Sequence, residues 1–256
     1  MHWPARRQPL RHANVVVGDE RIFSVALGEP VPGVPAIVCV HGLGVSSRYF
    51  TPLIRRLAPH TRVLAPDLPG FGRSSKPSLV YDVPRLAGAL DAWLDTQAFD
   101  RPPLLVANSM GCQVVASLVD HRPERACGIV LIGPSMDAHG RTAATQIGRL
   151  IRAIVFERLT LLPVVAYEYL LCGPRRLIGS LRHALADPLE GHLAGITMPS
   201  LVVRGERDVI ATQAWVEQVA TLLGRGPSVT VPGTGHALNY SAPDALLPGI
   251  LRLLDA

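Results

Sequence analysis

Leu104-Leu105-Val106-Ala107-Asn108-Ser109-Met110-Gly111-Cys112-Gln113-Val114-Val115 is the stretch on which the fold turns. Its opening apolar run is too short for a spanning helix and reads as a buried strand. After Asn108-Ser109-Met110-Gly111 a second apolar set, Val114, Val115, Leu118 and Val119, recurs at helical spacing. A serine held on such a strand-to-helix turn takes a strained backbone conformation and projects its hydroxyl above the sheet. Small residues are needed two before and two after it, because strand and helix backbones nearly touch there. Ala107 and Gly111 meet that demand. A small-x-Ser-x-Gly match is weak alone; its place between a strand and a helix gives it weight as a nucleophile elbow.

Outward from this turn, strand-like and helix-like segments alternate. Val15 to Val17 and Ile22 to Val25 form two arms of a hairpin around Gly18-Asp19. Ala36-Ile37-Val38-Cys39-Val40 is a continuous apolar run, as expected for a strand covered on both faces. Ser46 or Ser47 is placed to cap a helix whose Phe50, Leu53, Ile54 and Leu57 share one side. Arg62 to Ala65 predicts the next strand, and Asp82 the cap of a helix with Pro84 in its first turn. Further strands are predicted at 128–133, 200–204 and 228–231, with helices at about 213–223 and 244–254. Such alternation implies parallel pairing with right-handed crossovers and a three-layer α/β sandwich.

The interval from Gly133 to Pro199 breaks the rhythm. It is too long for one crossover and holds amphipathic patches, such as Ile147, Leu150, Ile151 and Ile154, and an apolar Leu159 to Leu171 segment interrupted by Pro163. An inserted helical cap is expected over residues 135–189, on a core made of residues 1–134 and 190–256. Ligands of open parallel sheets bind at the carboxyl ends of the strands, beneath such a cap.

Five segments together resemble the α/β-hydrolase superfamily over nearly the whole chain outside the cap. They are His41-Gly42-Leu43-Gly44, Pro66-Asp67-Leu68-Pro69-Gly70-Phe71-Gly72-Arg73-Ser74, the elbow, Arg204-Gly205-Glu206-Arg207-Asp208 and Gly233-Thr234-Gly235-His236. The resemblance implies the α/β-hydrolase fold, a mostly parallel central sheet flanked by helices, and a triad in the chain order Ser, Asp, His. Ser109 is then the expected nucleophile, His236 the base and later the acid, and Asp208 the group that fixes the imidazole tautomer. The backbone N–H groups of Leu43 and Met110 match the family's oxyanion-hole positions, where losing one donor costs about 3–4 kcal/mol in the barrier. Asp137, just past the strand ending at Gly133, competes with Asp208 for the acid. Asp67 is expected to anchor a turn, His41 to support the oxyanion loop, Cys112 to be a packing substitution, and Asn108 and Arg73 to be structural.

A serine at the elbow argues against the haloalkane-dehalogenase and epoxide-hydrolase branches, which carry Asp there. Asn-Ser-Met-Gly is also similar to the meta-cleavage-product hydrolases, which break carbon–carbon bonds. Those relatives usually have Trp after the catalytic His and a cap Arg that holds a substrate carboxylate. Here Ala237 follows His236, while Arg175, Arg176 and Arg182 are cap arginines of unassigned direction. The expected activity is therefore hydrolysis of a mainly apolar carboxylic ester, with carbon–carbon hydrolysis and a non-catalytic ligand-binding role as alternatives.

Composition bounds the rest. An apolar content of 48% in 256 residues fits a compact domain with a sizeable core, and no apolar run reaches the roughly 18–20 residues of a membrane helix. Met1 to Arg11 has basic residues but no apolar stretch after them, so a cytoplasmic protein is expected. The net charge of +5 is carried by arginines, with Lys76 the single lysine. Pairs such as Arg6-Arg7, Arg55-Arg56 and Arg175-Arg176 are scattered, without interleaved aromatics, which disfavours nucleic-acid binding. Cys39, Cys112, Cys127 and Cys172 form no Cys-x-x-Cys pair, so neither a metal site nor a disulfide framework is expected, and the chemistry needs no cofactor.

Overall fold

Strand alternation sorts the apolar residues onto two faces. In β3 (Ile37–Val40), Val38 and Val40 pack on one face of the sheet with Leu105, Ala107, Ile129 and Leu131. Ile37 and Cys39 pack on the other with Leu104, Val106, Val130 and Ile132. All are buried, so both faces must be covered, which is why these strands read as unbroken apolar runs. The computed structural model describes residues 8–224 and 228–255. Of the Met1–Arg11 segment, residues 1–7 and with them the Arg6-Arg7 pair lie outside the described residues.

The sheet has eight strands in the order β1-β2-β4-β3-β5-β6-β7-β8. β1 (Arg11–Val17) and β2 (Glu20–Leu27) form the antiparallel hairpin, and β2 pairs antiparallel with β4 (Val63–Pro66). From β4 through β3, β5 (Leu104–Asn108), β6 (Gly128–Ile132), β7 (Ser200–Gly205) and β8 (Val229–Val231) every pairing is parallel. This is the α/β-hydrolase fold. Helices α1 (Thr51–Leu57), α2 (Val83–Asp95) and α3 (Met110–His121) follow β3, β4 and β5. Asp82 caps α2 by accepting from the Arg85 N–H, with Pro84 in the first turn. Ser46 caps only a short 3-10 turn, Ser47–Phe50, ahead of α1.

Between β6 and β7 the chain forms α4 (Ala143–Ala153), α5 (Leu162–Cys172), α6 (Pro174–Ala186) and α7 (Leu189–Leu193). Pro163 sits in the first turn of α5, where its missing N–H is no loss, so the apolar segment is not interrupted but begun there. Leu189 and Leu193 of α7 join the core cluster under α3, returning the chain to the sheet. After β7 come α8 (Gln213–Leu222), α9 (Leu238–Ser241) and α10 (Pro243–Leu254). Among the described residues no helix is long and apolar enough to cross a membrane.

Candidate active site

Ser109 lies between β5 and α3 with φ +57° and ψ −126°, a region that side chains enter only at a cost of about 1–3 kcal/mol. Its neighbours fix that conformation. The Ser109 N–H donates to Ile132 O at 3.0 Å, and Asn108 Nδ2 donates to the same carbonyl at 3.1 Å and to His236 O at 3.4 Å. Asn108 is thus a strut between the elbow and the histidine loop. A Cβ on Gly111 would lie 2.5 Å from Val40 O and 2.7 Å from His41 O. The demand for a small residue at 111 therefore comes from the neighbouring strand β3, not from the elbow's own strand.

Asp208 and His236 are brought together by two interlocked loops. Asp208 closes a turn after β7, its N–H donating to Gly205 O at 3.0 Å, and Arg207 N–H donates to Thr234 O at 2.9 Å. A side chain at Gly205 would collide with the carbonyls of Thr234 and Gly235. Asp208 Oδ1 accepts from the N–H groups of Ile210 at 2.8 Å and Ala211 at 2.9 Å. Its Oδ2 accepts from His236 Nδ1 at 2.8 Å. An ionised carboxylate only accepts, so Nδ1 carries the proton and Nε2 is left as a base. Burial works against the charged imidazole, but Asp208 and then Glu157 outweigh it, and the His236 pKa lies above 6.5.

Ser109, His236 and Leu43 line one cavity of about 150 Å³, with Val45, Leu150, Ile154, Leu161, Leu162 and Val165 among its walls. No hydrogen bond joins the Ser109 hydroxyl to His236 among the described residues. Such a link is often long until substrate closes it. Met110 opens α3, so its N–H is one of the four without an intrahelical partner. A Cβ on Gly42 would lie 2.9 Å from Ser109 Cβ, so only glycine lets this loop approach the serine.

Asp137 stands elsewhere. Its Oδ2 accepts from Arg149 at 3.0 Å and Thr212 at 3.2 Å, and its Oδ1 from the His139 N–H at 2.9 Å. Burial alone would raise its pKa, but the His139 amide and the Arg149 guanidinium lower it, leaving a carboxylate committed to holding α4. His41 is fully buried; Nε2 accepts from the Leu68 N–H at 2.9 Å, and Nδ1 therefore donates to Gly42 O at 2.8 Å. Burial lowers its pKa and keeps it neutral. Asp67 accepts from the N–H groups of Ser47 and Arg73, both at 2.8 Å, and Arg73 covers the Phe23 ring. Cys112 is buried in the core, and all four cysteines are free.

Arg175 and Arg176 donate to the carbonyls of Ser78 and Pro77, and neither they nor Arg182 line the cavity. Sequence reasoning missed Glu157, Tyr49, Gln146 and Tyr169, all of which do. Glu157 had a visible signal, a lone carboxylate directly after Ile154-Val155-Phe156. Burial raises the pKa of Glu157, against the lowering effect of the Ala237 amide and of His236. Tyr49, buried near Glu157, Tyr169 and Asp208, is likewise raised and stays neutral. No cluster of three or more His, Cys, Asp or Glu suited to a metal occurs among the described residues.

The chain is similar to known proteins. A family model described as the alpha/beta hydrolase family matches residues 37–248. A 2-(acetamidomethylene)succinate hydrolase of Mesorhizobium japonicum is 27% identical over 247 residues, covering 87% of this chain and 88% of its own. A pimeloyl-[acyl-carrier protein] methyl ester esterase of Yersinia enterocolitica is 26% identical over 250 residues, covering 82% and 89%. Among solved structures, a thermophilic esterase from Thermogutta terrifontis superposes with a TM-score of 0.79 at 17% identity, over 96% of this chain and 98% of that one.

Proposed function

The chain belongs to the alpha/beta hydrolase family, and on that premise we propose that it is a serine hydrolase cleaving a neutral, mainly apolar carboxylic ester. The observation that carries this reading is that His236, bonded to the buried Asp208 at 2.8 Å, lines the same cavity as the elbow serine. Nε2 of His236 takes the Ser109 proton as the hydroxyl oxygen attacks the ester carbonyl carbon. The resulting imidazolium is held by Asp208, and the oxyanion by the N–H groups of Leu43 and Met110. Collapse expels the alkoxide, which takes the proton from Nε2 and leaves an acyl-Ser109. Water, deprotonated by His236, attacks the acyl carbon, and the acid departs as Ser109 recovers its proton. Residues 135–189 act as the lid that excludes bulk water from these steps.

The wall chemistry supports a neutral substrate. Among the described residues no cationic side chain other than His236 lines the cavity, so a carboxylate would be desolvated there without a partner. The wall also bears on the carbon–carbon alternative, whose dienoate substrates carry such a group, and Ala237 occupies the position where those relatives have Trp. The Yersinia relative is named for cleaving a methyl ester, in line with this reading.

The test is turnover of p-nitrophenyl butyrate. Ser109→Ala is expected to lower kcat at least about 10⁴-fold with an unchanged circular dichroism spectrum. Retained turnover in that variant refutes the proposal. A fluorophosphonate probe distinguishes the non-catalytic reading, since a misaligned site leaves Ser109 unlabelled. Bleaching of a dienoate ring-cleavage product with no ester turnover would instead support carbon–carbon hydrolysis.

A further inference from the structure

One carboxyl group in the cavity has no part in the triad. Glu157 follows the short 3-10 turn Ile154–Phe156 that extends α4, so it belongs to the segment between β6 and β7 rather than to the sheet. Its Oε1 accepts from the Ala237 N–H at 3.0 Å, the amide next to His236. Gly235, on the other side of His236, comes so close that a Cβ there would lie 2.6 Å from the same oxygen. The carboxyl group therefore meets the residues on either side of His236. Its second oxygen, Oε2, is buried with no hydrogen-bond partner among the described residues. A carboxyl group in an apolar wall with one oxygen unsatisfied is unfavourable, and a site tolerates it where it serves function.

We propose that Glu157 is a positioning residue for the catalytic base: it seats the 235–237 backbone through the Ala237 amide and supplies a second negative charge that stabilises the imidazolium. The inference rests on the Ser109–His236–Asp208 reading above. Asp208 sets the tautomer from the Nδ1 side, while Glu157 acts through the backbone and through space. Because it is delivered by the insert, the base is complete only when that segment is seated on the sheet. The groups facing Glu157 are His236, Asp208 and Tyr49; Asp208 opposes its ionisation, His236 favours it, and Tyr49 is neutral.

Two substitutions separate the roles. Glu157→Gln keeps an oxygen for the Ala237 N–H and removes the charge, whereas Glu157→Ala removes both. The His236 pKa, followed by histidine Cε1–H NMR and identified by its absence in His236→Gln, is expected to move to lower pH in both variants. The acid limb of kcat/KM for p-nitrophenyl butyrate is expected to move with it. Glu157→Ala alone is expected to lose a further roughly tenfold in kcat with little change in KM, the effect of one lost hydrogen bond. A His236 pKa unchanged in both variants overturns the proposal. The NMR titration needs no turnover, so a wild-type protein inactive on esters would refute the esterase reading and still leave this inference tested. Loss of activity in Glu157→Ala with no movement of the His236 pKa in either variant would mark a merely structural contact, and also overturns it.

Discussion

Adding a single methyl group at Gly133 tests how tightly the base is held. Gly133 follows β6 with φ +54°, and a Cβ there would lie 3.0 Å from His236 Nδ1 and 3.1 Å from Asp208 Oδ2. Two effects separate cleanly in Gly133→Ala. The left-handed backbone becomes strained by about 1–2 kcal/mol, which in a chain of this size lowers Tm by about 2–4 °C per kcal/mol. Non-bonded heavy atoms prefer about 3.5–4.0 Å, so the imidazole or the carboxylate must retreat by roughly 0.5 Å. Misplacement by about 1 Å costs on the order of 10²-fold, so kcat/KM is expected to fall roughly tenfold. The assay pairs thermal unfolding with p-nitrophenyl butyrate kinetics. Gly148→Ala serves as the control: that glycine is inside α4 with nothing near its missing Cβ, and alanine should stabilise by about 0.5–1 kcal/mol. A Gly133→Ala enzyme with wild-type kcat/KM would show that the dyad does not press on this backbone, and the reasoning fails.

Other expectations concern charge. Because the proposed mechanism needs a neutral His236 and its pKa is raised, kcat/KM should fall with acid along a limb centred above pH 6.5; a limb below that value contradicts the assigned partners. Asp208→Asn should cost about 10⁴-fold in kcat, through the wrong tautomer. Asp137→Asn should leave kcat within about threefold while weakening the Arg149 contact, and the reverse ranking would transfer the acid role to Asp137.

Most of the sheet was legible in the sequence because its strands are covered on both faces: runs such as Ile37–Val40 and Gly128–Ile132 are short, continuously apolar and flanked by Pro and Gly. The elbow was legible for a steric reason, since Ser109 between a strand and a helix needs a small residue at 111. Which backbone imposes that need was not, because β3 and β5 become neighbours only through the strand order. The Gly205-Glu206-Arg207-Asp208 segment favoured Asp208 over Asp137 in the sequence; in the structure one carboxylate meets His236 and the other meets Arg149. The insert was least legible. The stripe Ile147, Leu150, Ile151 and Ile154 has the period of a core-facing helix, yet it is largely exposed, with Leu150 and Ile154 turned in part to the cavity. Periodicity reports that a helix has two faces; it does not report what lies opposite each. Glu157 was lost for the same reason, as its partner at Ala237 is 80 positions away.

The pairing of Ile129 to Ile132 with Ser200 to Val203 has an implication for how this protein fails. Ser109 follows β5, Gly133 follows β6 and Asp208 lies just past β7, like marks at the ends of adjoining rulers. Sliding one ruler by a single notch shifts its mark by about 3.3 Å and turns every side chain over. Hydrolytic rate is then a vernier for correct alignment during refolding: secondary-structure signals recover in molecules threaded one step out, whereas turnover returns only in those whose graduations coincide.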